Sequence, residues 1–423
     1  MPIAGWLVRW TAVTALLPLA ACGARSELDS QEEQALTAHD GGPGGTGAGG
    51  ANGGGGTGGA GAPPCYSWSV VPGEPIALTD PVGDSMLTSA ALDGDRVLVA
   101  STNDNDPSPD PTFRVRVVSD DLATIDPSQA VLSRPQQSSY SGMSLAAGSG
   151  HRAGIAWDEY DGCRFVALGP DGAASAAPVG ITTSWCYWLS PTASGFTAMS
   201  SPLGSLAPLT LLTLDPGGNV VGSQPDVVPP DPADTYPLDR ARFEDGSTLL
   251  AWLEGSSTIR VQRFSETGEA LSQPKALPEP QFGYDTSFAL GAVGSSALIA
   301  WSSGPLNLGQ VLIQPIDEDG NALGDPSELA PADGLFVGRI DLVAARGGAL
   351  VLWIRGQQGA YDTMTVQPVT TDGVAMGGPV TVPTPPFLLD VRLTTTPLGA
   401  MVAYDAEQSA PTQVFVSRLQ CGE

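Results

Sequence analysis

A chain of 423 residues with 45 acidic against 18 basic side chains has a formal charge of −27, which argues against nucleic acid and anionic lipid as partners, since both need a basic face. Its two histidines, His39 and His151, exclude metal sites with two or more histidines from the folded part, and a Ser-His-Asp hydrolase would have to use His151.

The first predicted element is a targeting segment, residues 1–22. Arg9 gives a short basic element, Trp10 to Ala21 an apolar stretch too short to span a bilayer, and Leu19-Ala20-Ala21-Cys22 a processing site. These four residues resemble the lipobox of bacterial lipoproteins. The resemblance implies that Cys22 is lipidated and becomes the mature N-terminus. Gly23 carries no inner-membrane retention signal, so the expected address is the outer membrane, on its periplasmic or cell-surface side. Multiple acyl chains make such an anchor stable where one would be marginal. No other hydrophobic stretch is long enough to cross a membrane, so the lipid is the only membrane contact expected.

Residues 23–64 form a glycine-rich tether. Gly41 to Gly61 is almost only Gly, Ala and Thr, which cannot bury a core and predicts a disordered coil. At about 5–6 Å times the square root of roughly 40 residues, its mean reach is about 35 Å.

Residues 65–423 carry a recurrence. An apolar run ends in an aromatic as Ala153-Gly154-Ile155-Ala156-Trp157, Thr248-Leu249-Leu250-Ala251-Trp252, Ala297-Leu298-Ile299-Ala300-Trp301, Ala349-Leu350-Val351-Leu352-Trp353 and Ala400-Met401-Val402-Ala403-Tyr404. Weaker copies end at Ser101 and Met199, and successive copies lie 42 to 56 residues apart. A second series, Pro75, Pro127, Pro178, Pro225, Pro274, Pro326 and Pro379, keeps nearly the same step. Turns at Asp171-Gly172, Thr267-Gly268, Asp319-Gly320 and Asp372-Gly373 precede four of these prolines. Proline cannot donate a ladder hydrogen bond, so its strand belongs on a sheet edge. Each unit reads as four strands with the proline strand outermost, and a period near 50 predicts an all-β, seven-bladed β-propeller.

The two series are out of phase. The chain starts with a lone outer strand around Pro75 and ends with three strands lacking an outer one. Pairing the two ends, residues 66–80 beside 412–420, would complete the last blade and close the ring. Cysteine placement agrees. With Cys22 assigned to lipid, Cys65, Cys163, Cys186 and Cys421 form an even set that allows three pairings. Ring closure favours Cys65–Cys421, and Cys163–Cys186 follows by default.

Residues 297–330, ALIAWSSGPLNLGQVLIQPIDEDGNALGDPSELA, resemble the LVAW…I…QR.D.DG..LG.P repeats of bacterial secreted and surface proteins. The resemblance covers residues 85–423 loosely and implies a propeller-like fold without naming a chemistry.

Three groups are candidates for function. Asp158, Glu159 and Asp161 around Tyr160 form the best local carboxylate cluster, relevant to an acid pair of the glycosidase kind. Asn103-Asp104-Asn105-Asp106 with Asp110 could supply oxygen ligands to calcium but lacks the glycine and terminal glutamate of an EF-hand loop; no other cofactor is expected. Tyr140, Tyr236, Tyr284, Phe336 and Phe387 each stand 16 or 17 residues before the next run-ending aromatic, and Trp185, Tyr187 and Trp188 crowd the same region of their repeat. These positions fall in the connections between blades. They read either as inter-blade packing or as a ring that stacks on sugars, with Tyr140, Trp185, Tyr187, Tyr236 and Tyr284 as the ligand-binding set. The expected function is a non-enzymatic surface module that binds glycan or protein. Its alternatives are a propeller glycoside hydrolase or lyase using channel carboxylates, and a structural envelope protein.

Overall fold

The computed structural model describes residues 65–72, 75–78, 87–92, 96–101, 112–127, 129–133, 143–148, 152–159, 162–201, 208–228, 235–254, 258–277, 287–304, 309–357, 360–407 and 412–422. Cys22, the 23–64 segment, the Asn103–Asp110 run, Tyr140, His151 and Tyr284 lie outside them. The described chain is all β, built of antiparallel four-stranded sheets of the propeller-blade kind. Sheet I holds Leu87–Leu92, Arg96–Ser101, Thr112–Ser119 and Gln129–Ser133; sheet II runs from Met143–Gly148 to Val179–Thr182. Sheet III runs from Trp185–Pro191 to Val220–Val228, sheet IV from Thr235–Arg242 to Lys275–Ala276, and sheet V from Phe288–Val293 to Ser327–Ala330.

The remaining strands form one nine-stranded sheet in two halves. One half runs from Phe336–Ala345 to Val380–Val382; the other contains Leu388–Thr396, Gly399–Glu407 and Thr412–Cys421. A single residue pair, Tyr361 with Leu388, joins them. The outer place of the second half is taken by the start of the chain: Trp68–Val70 pairs with Leu419–Cys421, and Ile76–Ala77 with Phe415–Val416. The expected outer strand is thus present in two short pieces rather than one. The Cys65–Cys421 disulfide lies beside it, with Cα atoms 5.8 Å apart, and Cys163–Cys186 is the second bridge, at 5.7 Å.

The apolar runs do not alternate because both of their faces are covered. Each is the second strand of its sheet and is buried along its length between two neighbouring sheets. Leu98, Phe113, Leu145 and Trp157 fill the space between sheets I and II, and Phe165, Leu189 and Phe196 that between II and III. Trp188, Met199, Leu250 and Trp252 join III to IV, while Ile259, Leu290 and Trp301 join IV to V. Leu298, Leu342 and Trp353 continue onto the nine-stranded sheet, whose halves meet through Leu352, Leu393 and Tyr404. Val97 and Val99 of sheet I pack with Met401, Ala403, Val414 and Val416 of the last strands.

The turns follow the sequence as well. Gly172, Gly268, Gly320 and Gly373 have φ between 74° and 87°, the left-handed region where only glycine is unstrained. Each donates its N–H to the carbonyl three residues earlier at 3.0 Å, closing a tight turn before the outer strand. Pro178, Pro274, Pro326 and Pro379 stand immediately before short outer strands, whereas Pro225 lies inside the longer Val220–Val228. Those edges are short and begin with a residue that cannot donate, which limits pairing with other chains.

Candidate functional site

The first strand of several sheets enters through an irregularity placed opposite the end of the apolar run. In sheet III, Cys186 faces Ser200 and Trp188 faces Met199, so Tyr187 is the extra residue of a bulge. The same interruption falls at Pro237 in sheet IV, at Gly338 and Arg339 before Ile340, and at Leu389 before Asp390. A bulge re-aims the side chains around it. Here it lies beside the aromatic positions that the repeat singles out.

Phe387 is 47% exposed and holds φ at 61°, an uncommon conformation for a bulky residue, with Leu389 beside it also 47% exposed. Phe336 is half-buried. Tyr187 is half-buried as well: its hydroxyl lies 3.1 Å from Ser201 Oγ, and loss of solvent around the ring raises its pKa above 10.0. Trp188 turns inward and is core. The backbones of Trp185 and Tyr236 lie in the entering strands of sheets III and IV, while their side chains, like Tyr140 and Tyr284, fall outside what is described.

The Trp185–Tyr187 corner is fixed from below. The Cys163–Cys186 bridge ties it to sheet II, and the Cys186 N–H donates to Asp158 Oδ1 at 2.5 Å. Asp158 is therefore a buried positioning group. Glu159 accepts from Trp157 Nε1 and from Arg164 Nε, each at 3.0 Å. The carboxylate cluster expected here is thus occupied with holding the corner, and its other members, Tyr160 and Asp161, are outside the described residues. Asp158, Cys163 and Cys186 also bring three ligand-type atoms within 4.8 Å of one another, but the sulfurs are bonded to each other and offer no thiolate to a metal.

A second group of charges, unforeseen from the sequence, lies on the entering strands. Asp239 accepts from the Arg240 N–H at 2.8 Å and, across the sheet boundary, from the Leu290 N–H at 2.6 Å. Asp341 does the same between the two halves of the nine-stranded sheet, with Leu342 at 2.9 Å and Leu393 at 2.7 Å. Ser144 and Ser287 accept similarly from the Leu189 and Ile340 N–H groups of the next sheet. These are latches between neighbouring sheets. Burial pushes Asp239 up to about 7 and Asp341 up to about 6, against the pull of their N–H donors. Asp390 accepts from Arg392, and Arg339 lies 3.9 Å from it, its own pKa lowered chiefly by burial. Arg240 reaches Ser190 Oγ at 2.9 Å and the Leu189 carbonyl at 2.6 Å while stacking over Trp188 at 4.6 Å. The available signal was a charged residue within each of three entering strands, recurring at Asp239, Asp341 and Arg392.

Neither a family model nor a curated protein matches the sequence. Among solved structures, a prolyl endopeptidase is similar over 82% of this chain and 51% of its own, at 14% identity and a TM-score of 0.47. A puromycin hydrolase is similar over 85% and 56%, at 14% identity and 0.49, and the sialidase of Trypanosoma rangeli over 83% and 59%, at 10% identity and 0.45. This chain spans little more than half the length of each. At these values the likeness carries no residue role or activity across.

Proposed function

We propose that the chain is a seven-bladed propeller, closed by its first strand on its last blade, that serves as a surface-anchored, non-enzymatic binding module for glycan or protein. The pairing of Trp68–Val70 with Leu419–Cys421 and the packing of Val97 and Val99 on Val414 and Val416 support the closed ring. Residues 1–22 supply a lipoprotein signal and Cys22 the outer-membrane anchor, with residues 23–64 as the tether; this part of the reading rests on the sequence alone.

The observation that carries the binding role is the contrast at the entering strands. The bulge before Asp390 leaves Leu389 half-exposed with Phe387 next to it, whereas both oxygens of Asp239 and Asp341 face main-chain N–H groups. Exposed rings cover an apolar sugar face or a partner's side chain at small entropic cost. A glycan array probed with residues 65–423 tests it: binding that Phe387→Ala weakens by about 1–3 kcal/mol supports the face, and binding indifferent to both Phe387→Ala and Tyr187→Ala refutes it.

The second reading, a glycoside hydrolase, is favoured by one observation, the proton affinity of Asp239 and Asp341. Turnover of an aryl glycoside that vanishes in both Asp239→Asn and Asp341→Asn would establish it over binding. A structural envelope role predicts no ligand in either assay.

A further inference from the structure

Three ligand-type side chains meet where sheet II hands over to sheet III. Asp158 lies near the end of the buried second strand of sheet II, directly opposite Cys163 on the third, and Cys186 stands on the entering strand of sheet III. A carboxylate oxygen and both sulfurs lie within 4.8 Å of one another, and all three residues are buried. A tetrahedral zinc-type site with bonds of about 2.0–2.3 Å spaces its ligand atoms about 3.5–3.8 Å apart, so the backbone already holds these three near that spacing. Asp158 Oδ1 accepts the Cys186 N–H at 2.5 Å, which keeps the carboxylate at the corner. Among the described residues, the Cys65–Cys421 bridge has no carboxylate or imidazole placed in this way beside its two sulfurs. Sulfurs bonded to each other cannot ligate, but the same pair as thiolates selects soft cations.

We infer that Cys163, Cys186 and Asp158 form a redox-gated site for a thiophilic divalent cation such as zinc, closed in the disulfide and opened by reduction. The disulfide takes two electrons and two protons from a pair of small-molecule thiols, which leave as their own disulfide, and becomes two thiols. Cys186 is 8% exposed and Cys163 fully buried, so the reductant meets Cys186 first. The cation then forms two bonds to sulfur and one to the Asp158 carboxylate, with water as the fourth ligand, and both thiol protons pass to solvent. Reoxidation reverses the exchange and expels the cation. Sheets II and III stay joined in both states, by the S–S bond in one and through the cation in the other, so the corner beside Tyr187 remains tied. A carboxylate in this place can also serve as a latch alone, as Asp405 does in accepting the Asp390 N–H, and the two roles are separated by a variant that keeps the acceptor and removes the charge.

The test is a Co²⁺ titration of the full chain carrying Cys22→Ser, reduced with a phosphine that is then removed, and read by the thiolate charge-transfer and d–d absorption of a tetrahedral site. The reduced chain binds a single Co²⁺ that Zn²⁺ displaces, and the oxidised chain shows no such bands. Cys65→Ala with Cys421→Ala leaves this unchanged. Asp158→Asn keeps an acceptor for the Cys186 N–H but loses the anionic ligand. It weakens Co²⁺ at least about ten-fold, since even losing a group that only orients a ligand costs about 10–100-fold. Alkylation followed by peptide mapping decides the matter even if the Cys65/Cys421 variant does not fold: equimolar Zn²⁺ protects Cys163 and Cys186 and leaves Cys65 and Cys421 reactive. No charge-transfer band in the reduced chain, equal affinity in Asp158→Asn, protection of Cys65 and Cys421 instead, or a reduced chain that unfolds with or without Zn²⁺ overturns the inference. A glycan-array result, positive or negative, leaves it unaffected.

Discussion

The two disulfides close loops of very different length, and this gives a prediction with a built-in control. Cys65 and Cys421 are 356 residues apart, Cys163 and Cys186 only 23. If a disulfide acts by restricting the unfolded chain, its contribution grows with the logarithm of the loop. The chain-entropy relation then gives about 6 kcal/mol for the long loop and about 3.4 kcal/mol for the short one. The native state adds little to the difference, since both bridges have ordinary Cα separations of 5.8 and 5.7 Å. Replacing Cys65 and Cys421 together by alanine should therefore cost roughly 2.5 kcal/mol more than replacing Cys163 and Cys186. Guanidinium unfolding of parent and double variants under non-oxidising handling measures it. The Cys163/Cys186 pair also fixes the Trp185–Tyr187 corner, so its removal should lower ligand binding as well as stability. An equal or larger stability loss for the short-loop variant would refute the entropic reasoning and show that native-state contacts at the corner dominate.

Three further outcomes are expected. Folded Asp239, held at about 7, and Asp341, at about 6, keep protons that unfolded carboxyls near 3.8 have released, so their contribution to stability is fullest near pH 4 and is lost as pH rises toward 7; melting temperatures across that window should fall, and should fall less in Asp239→Asn. Gly320→Ala should destabilise by about 1–3 kcal/mol, since φ is 84° and the added Cβ would lie 2.5 Å from Val261 Cγ2; urea unfolding with no loss would contradict the turn geometry. Cys22→Ser should abolish palmitate labelling in cells, and unchanged labelling would remove the lipid anchor from the reading.

The parts of the fold legible in the sequence are those set by local chemistry repeated many times. Tryptophans at the ends of apolar runs, glycines at Gly172, Gly268, Gly320 and Gly373, and prolines before outer strands each have one physical reason, and recurrence made the reason visible. The pairing of Cys65 with Cys421 came from the phase offset, a property of the whole series. What could not be read was anything that depends on two sheets meeting. The latches of Asp239 and Asp341 look like stray charges in the sequence, because their partners are main-chain N–H groups of Leu290 and Leu393, about 51 residues on. The aromatic offset of 16 or 17 residues located Phe387 at an exposed strand entry but gave no sign that Trp188, in the corresponding region of its own repeat, would turn into the core.

The seam between the first and last strands has a mechanical consequence. Any pull on the chain ahead of Cys65 enters the domain where Trp68–Val70 lies along Leu419–Cys421. Without a crosslink, that force would be borne by a few main-chain hydrogen bonds of a short strand. The Cys65–Cys421 bond passes it instead to Thr412–Cys421, a ten-residue strand paired with Gly399–Glu407 along most of its length. A domain towed through liquid by its leading end would thus carry the load in its longest ladders, and reduction of this one bond would turn the same tension into peeling of the outer strand.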